Sequence, residues 1–143
     1  MQLRYRILSF ILLTALAAMI VSQVFNQKPA RRAVARSEMI YVPPAPESKN
    51  IVDITNSNLI QADGLFRQRW RRCWVTPPSG DVTIIVHFPD TSKERYWLSI
   101  RSGEIFTRKK GRMYMSKLDA GDQGEMRMYF DRLVSDHATL TPF

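Results

Sequence analysis

The sequence predicts an α+β protein: an N-terminal transmembrane helix, then a small two-layer domain in which an antiparallel meander sheet packs against two helices. Three patterns carry that expectation. Residues 7–27 contain no charged side chain, residues 82–117 alternate apolar with polar, and two segments near residues 58–73 and 125–137 repeat apolar residues at helical spacing. At 143 residues the chain has room for one small domain plus appendages, which excludes a multidomain enzyme.

The elements follow in order. Residues 1–6 form a short basic tail with Arg4 and Arg6, and residues 7–27 form the anchor. Its apolar core, residues 7–25, spans roughly 28 Å as a helix, close to the roughly 30 Å hydrocarbon core of a bilayer. A cleaved signal peptide is the rival reading, because Ala15-Leu16-Ala17 offers the small residues a signal peptidase prefers. The apolar run continues past that site through Met19, Ile20, Val21, Val24 and Phe25, which favours an uncleaved anchor. Arg4 and Arg6 on one side nearly balance Lys28, Arg31, Arg32 and Arg36 on the other. A very short basic tail before the first apolar segment is the usual signal-anchor arrangement, which places the N-terminus in the cytoplasm and the domain outside.

Residues 28–50 read as a linker rich in Pro and Arg, with Pro29, Pro43, Pro44 and Pro46 among them. Prolines restrict their own dihedral and that of the residue before, so residues 42–46 are expected to be semi-rigid and extended. Residues 51–143 form the α+β domain. Residues 51–54 suit a short edge strand. Asn58 and Gln61 suggest a capping box, and Leu59, Ala62, Phe66, Trp70 and Cys73 then form one apolar stripe, so a helix is expected from Asn58 to Cys73. Thr76-Pro77-Pro78-Ser79-Gly80 ends it. Strands are expected at residues 82–88, 94–100, 104–107 and 112–117, with turns at Pro89-Asp90-Thr91-Ser92, Ser102-Gly103 and Lys109-Lys110-Gly111. Asp122 and Glu125 suggest a second capping box. Met126, Tyr129, Phe130, Leu133, Val134 and His137 lie on one face of the helix behind it.

The chemistry-bearing residues are sparse. One cysteine, Cys73, and two histidines, His87 and His137, are too few for an ordinary structural zinc site, and no metal or cofactor is expected. Cys73 with a histidine is the only conceivable nucleophile and base, yet it lies between Trp70 and Trp74 on the apolar stripe, where a thiol ordinarily serves as a small hydrophobe. Carboxylates occur singly, and no glycine-rich phosphate loop, His-x-x-x-His or Cys-x-x-Cys is present. Catalysis is not expected. Lys and Arg number 21 against 13 Asp and Glu, a net charge of +8, of which residues 1–49 hold seven basic and two acidic side chains. Charge gathered around an apolar segment points to headgroups and topology more than to a nucleic-acid groove. The segment from Arg67 to Trp74 is the most basic and aromatic. Arg67, Arg69, Arg71 and Arg72 are its candidate partner-binding residues, and Trp97 is a candidate surface aromatic anchor.

Residues 65–100 resemble a known family. A helix ending in Arg71-Arg72-Cys73-Trp74, then Pro77-Pro78, Gly80, a strand at 82–88, a polar turn and a strand at 94–100 are similar to the start of the C-terminal domain of TolA/TonB-type envelope proteins. A later helix followed by Pro142 is similar to that family's second helix and its sequel. The resemblance implies an inner-membrane-anchored periplasmic module that binds other proteins through a strand edge. The chain departs from the family in lacking a Ser-x-x-x-His pattern in the anchor, a long spacer and a final strand, and in carrying an extra hairpin at residues 104–117.

The expected function is therefore that of a single-pass protein of the bacterial inner membrane with a periplasmic interaction module. It would serve as an accessory or scaffold in a secretion, conjugation or Tol-like assembly, with membrane or periplasmic proteins as partners and contact through a free edge of the meander and the arginine-rich helix. Nucleic acid is not an expected partner. The alternatives are a signal-cleaved soluble periplasmic binding protein, and an inverted anchor whose cytoplasmic domain binds acidic lipid or nucleic acid.

Overall fold

A computed structural model describes residues 2–27, 32–42, 49–74 and 81–138, together with their side chains except at 24–27 and 136–138. The expected semi-rigid Pro-rich piece at 43–46, the turn at 76–80, the side chain of His137 and Pro142 lie outside what is described. An exposed helix α1, Gln2–Phe25, leads into the domain. It is long and apolar enough to cross a membrane. Within it, the Thr14 hydroxyl donates to the carbonyls of Phe10 and Ile11, which satisfies the polar group inside the helix.

The domain is α+β, as expected. Its antiparallel sheet has eight strands in the order β1-β4-β8-β7-β6-β5-β2-β3, the first a bridge of two residues. In chain order these are β1 Asn26–Gln27, β2 Arg36–Tyr41, β3 Asn50–Asp53, β4 Trp70–Cys73, β5 Val82–His87, β6 Lys93–Leu98, β7 Glu104–Lys109 and β8 Arg112–Lys117. Helices α2 Asn58–Gln61 and α3 Gly64–Arg67 lie between β3 and β4, and α4 Ala120–Ala138 follows β8. Strands β5 to β8 are the expected four-stranded meander. Its hairpin β7–β8 closes through Lys110 and Gly111, both at positive φ (49° and 73°), as a two-residue turn matched to the strand twist requires.

One face of the sheet carries the core. Met39, Val82, Ile84, Val86, Tyr96, Leu98, Ile105 and Tyr114 meet Leu59, Ile60, Leu65, Phe66, Met126 and Leu133 from the helices. Tyr129 and Phe130 complete the α4 contact, Phe130 meeting Tyr41 edge-on at 5.3 Å. Val134, placed on the same helical face by periodicity, is 42% exposed. Tyr96 donates to Glu94, and burial together with that carboxylate pushes its phenol far above the usual range. Asp119 caps α4 by accepting the Asp122 amide at 2.8 Å, three residues earlier than the expected box.

Two expectations are corrected. The helix from Asn58 to Cys73 is instead two short helical turns and a strand. Asp63 adopts φ 57°, and buried Gly64 lets α3 approach α2 so closely that a Cβ there would lie 2.9 Å from the Leu59 Cα and carbonyl oxygen. The amide at the start of α2 is capped from outside: the Glu125 carboxylate of α4 accepts the Asn58 N–H at 2.9 and 3.0 Å, while Gln61 donates to the Thr55 carbonyl. The second correction concerns residues 28–50. Arg36–Tyr41 is no tether but β2, paired on one side with β5 and on the other with β3. Arg32, just before it, lies 3.7 Å over the Phe88 ring and binds Asp90 at 3.0 Å. The folded domain thus includes Arg32, well before the expected start at residue 51.

Candidate functional site

In a strand, side chains alternate between faces, so every core residue implies neighbours on the other side. Across the sheet, Ile51, Ile40, Thr83, Trp97, Phe106, Met115 and Arg71 stand directly opposite one another on successive strands from β3 to β4. The row crosses seven strands, about 29 Å at the usual interstrand spacing. Ile85 and Met113 add to its apolar content from the neighbouring rows. The apolar residues of α2, α3 and α4 point into the opposite core, and among the described residues no helix packs over this second face. Ile51 is 55% exposed, whereas Ile40, Ile85, Trp97 and Met115 are half-buried. Phe106, only 4% exposed, sits between Trp97 and Met115 yet belongs to no part of the main core.

Charge surrounds this row. Arg36, Arg71, Lys93, Arg95, Arg108 and Lys117 share the face with Glu38, Asp53 and Glu104, six basic side chains against three acidic. Glu38 is already engaged: Arg36 pairs with it, and His87 Nε2 lies 3.2 Å from its Oε2. Asp53 accepts from the Thr55 hydroxyl and amide, which hold its carboxyl below the usual range and keep it anionic. The remaining field over the apolar row is positive.

The sequence-derived candidates divide between this face and its margin. Trp97 lies at the middle of the row. Arg67 ends α3, Arg69 lies in the link to β4, and Arg71 and Arg72 alternate on β4, so the four do not share one helix face. Arg67, Arg69 and Arg71 nevertheless converge with Lys117 and Glu104 on an open groove of about 520 Å³ beside the end of β8. Arg72 turns to the other side and stacks 4.2 Å over the Trp74 ring. The expected free edge of the meander is taken: β2 covers β5 and β4 covers β8. The residues missed by sequence reasoning are Ile40, Ile85, Phe106, Met113 and Met115. Their signal was present, since strands apolar at adjacent positions, such as Ile84-Ile85 and Ile105-Phe106, have apolar character on both faces.

Cys73 and His87 lie on β4 and β5, separated by β8, β7 and β6, about 19 Å at normal strand spacing, so they form no dyad. Among the described residues no group of three or more His, Cys, Asp or Glu is placed to hold a metal. No protein-family model, curated protein or solved structure matches the chain.

Proposed function

We propose that this chain is a single-pass protein of the bacterial inner membrane, anchored by α1, whose domain stands in the periplasm as a protein-interaction module of an envelope assembly of the secretion, conjugation or Tol-like kind. The observation that carries the reading is the second sheet face, over which no helix packs among the described residues: an apolar row through Ile51, Ile40, Trp97 and Met115, rimmed by Arg71, Lys93, Arg95, Arg108 and Lys117. Soluble domains rarely leave such a row without a partner. A partner with an apolar centre and an acidic rim fits it, the aromatic residues supplying contact area and the arginines steering and orienting the encounter. The TolA/TonB resemblance agrees with an anchored interaction module, although Trp70–Cys73, part of the segment that suggested it, is a strand rather than a helix end.

Two measurements test the reading. Alkaline phosphatase and green fluorescent protein fused after Phe143 report the side of the membrane, and phosphatase activity in the membrane fraction is the expected result. A photo-reactive amino acid at Trp97 should give a discrete protein adduct in cells. Met115→Arg, on the same face but away from the core, should abolish that adduct while leaving thermal unfolding within a few degrees of wild type. An adduct that survives Met115→Arg removes the sheet face as the contact.

A further inference from the structure

The end of α1 runs without interruption into β1, and β1 pairs with β4: Asn26 opposite Arg71 and Gln27 opposite Trp70. A strand of two residues advances the chain only about 7 Å. The headgroup layer on each side of a bilayer is about 5–8 Å thick. If α1 spans the membrane, on which reading this inference rests, β4 is held at headgroup depth. The side chains gathered there have the composition of a membrane interface. Arg67, Arg69, Arg71 and Lys117 line the open groove with a single carboxylate, Glu104. None of these four cations forms an ion pair among the described residues. At the far end of β4, Trp74 is 78% exposed, the most exposed of the large hydrophobic residues described, with Arg72 on its ring and Arg112 nearby.

We infer that this edge is a second contact surface, adjoining the first, that docks on the chain's own bilayer, the groove taking the phosphates of anionic lipid headgroups and Trp74 seating among them. Guanidinium groups bind phosphate oxygens in bidentate fashion. Tryptophan partitions to the interface, where its ring meets the acyl boundary and its N–H meets water. Anionic leaflets attract juxtamembrane basic residues within a Debye length, and β4 lies well inside that range. The protein partner face and this lipid edge adjoin along Arg71, Glu104, Met115 and Lys117, which stand on the face and also line the groove.

The test uses the full chain in nanodiscs of phosphatidylcholine, with and without phosphatidylglycerol, each doped with a lipid spin-labelled near the headgroup. The Trp74 component of the fluorescence is the difference from Trp74→Phe. Most of that component should be quenched in anionic discs, markedly less in neutral ones, and recovered in the triple variant Arg67→Gln, Arg69→Gln, Lys117→Gln or at high salt. Equal quenching in the two lipids, or none, overturns the inference, and this comparison needs no variant of the groove. Inorganic phosphate should release quenching no better than chloride at equal ionic strength; stronger release would make the groove a site for free anions and end the lipid assignment. Failure of the chain to enter discs at all would overturn the anchor reading itself, an outcome separable from a chain that inserts but leaves Trp74 unquenched.

Discussion

Asp122 shows how one residue sets a pH dependence. It is 5% exposed, and its Oδ2 has no hydrogen-bond partner among the described residues. Burial, and then the neighbouring Asp119 charge, push its carboxyl above the usual range, while Arg67 works in the other direction. A carboxylate whose folded value is raised binds protons better in the native state, so the contribution of this group to stability is greatest in acid and is lost as pH rises from the ordinary carboxylate range through the raised value. Asp122→Asn removes that titration and supplies a donor for Asp119. Relative to wild type, the variant should gain stability as pH rises from about 3.5 to about 7, read as a thermal midpoint that climbs against that of wild type when unfolding is followed by near-ultraviolet circular dichroism in micelles. A stability difference between wild type and Asp122→Asn that stays constant over those pH values would refute the assignment. The residue scale also shows what the sequence concealed. Phe106 and Met115 looked like ordinary strand residues because periodicity marks which positions face a core, not whether the second face is covered.

At the scale of elements, the meander and α4 were legible because each keeps one period over a long stretch, with turns at Gly103 and Gly111 marking the ends, although Lys109, expected in the second turn, is the last residue of β7. The segment from Asn58 to Cys73 was misread because Leu59, Phe66 and Trp70 fit a helical stripe, while the break depends on a single left-handed residue, Asp63, and the close approach at Gly64. Strand β2 was hidden for a different reason: its inward positions are Ser37, Met39 and Tyr41, and a buried serine interrupts the apolar alternation. That serine is satisfied across the sheet, its hydroxyl donating to the Ile85 carbonyl at 3.4 Å and its amide to the Thr55 hydroxyl at 2.9 Å. Gly103 joins two of the legible elements. It has φ +72°, and a Cβ there would lie 2.7 Å from Gln123 Oε1, whose amide nitrogen donates to the carbonyls of Ile100 and Arg101. Gly103→Ala should therefore both strain the β6–β7 turn and displace the Gln123 staple from α4, lowering stability by about 1–3 kcal/mol. Thermal unfolding unchanged from wild type would show that the turn relaxes freely.

For the molecule as a whole, the consequential difference from the sequence reading is where the domain begins. Strand β2 lies between β5 and β3, and Met39 on it is fully buried, so the segment from Arg32 to Tyr41 belongs to the folded unit. A chain starting at Arg32 should unfold cooperatively, whereas one starting at Ile51 should lose the cooperative transition and expose apolar surface to a hydrophobic dye. Equal cooperativity in the two would mean that β2 is dispensable. The junction between β1 and β4 has a consequence of another kind. A domain hung on a long flexible leash samples all orientations and must give up that rotational freedom each time it meets a neighbour. Here α1 continues directly into a rung of the sheet, so with α1 as the proposed membrane anchor tumbling is already restricted before any encounter, and the second sheet face sweeps one band of heights above the lipid. Recognition then becomes a search in a plane, in which a weak contact suffices for a partner confined to the same layer and the same surface is silent toward identical chemistry presented at another height.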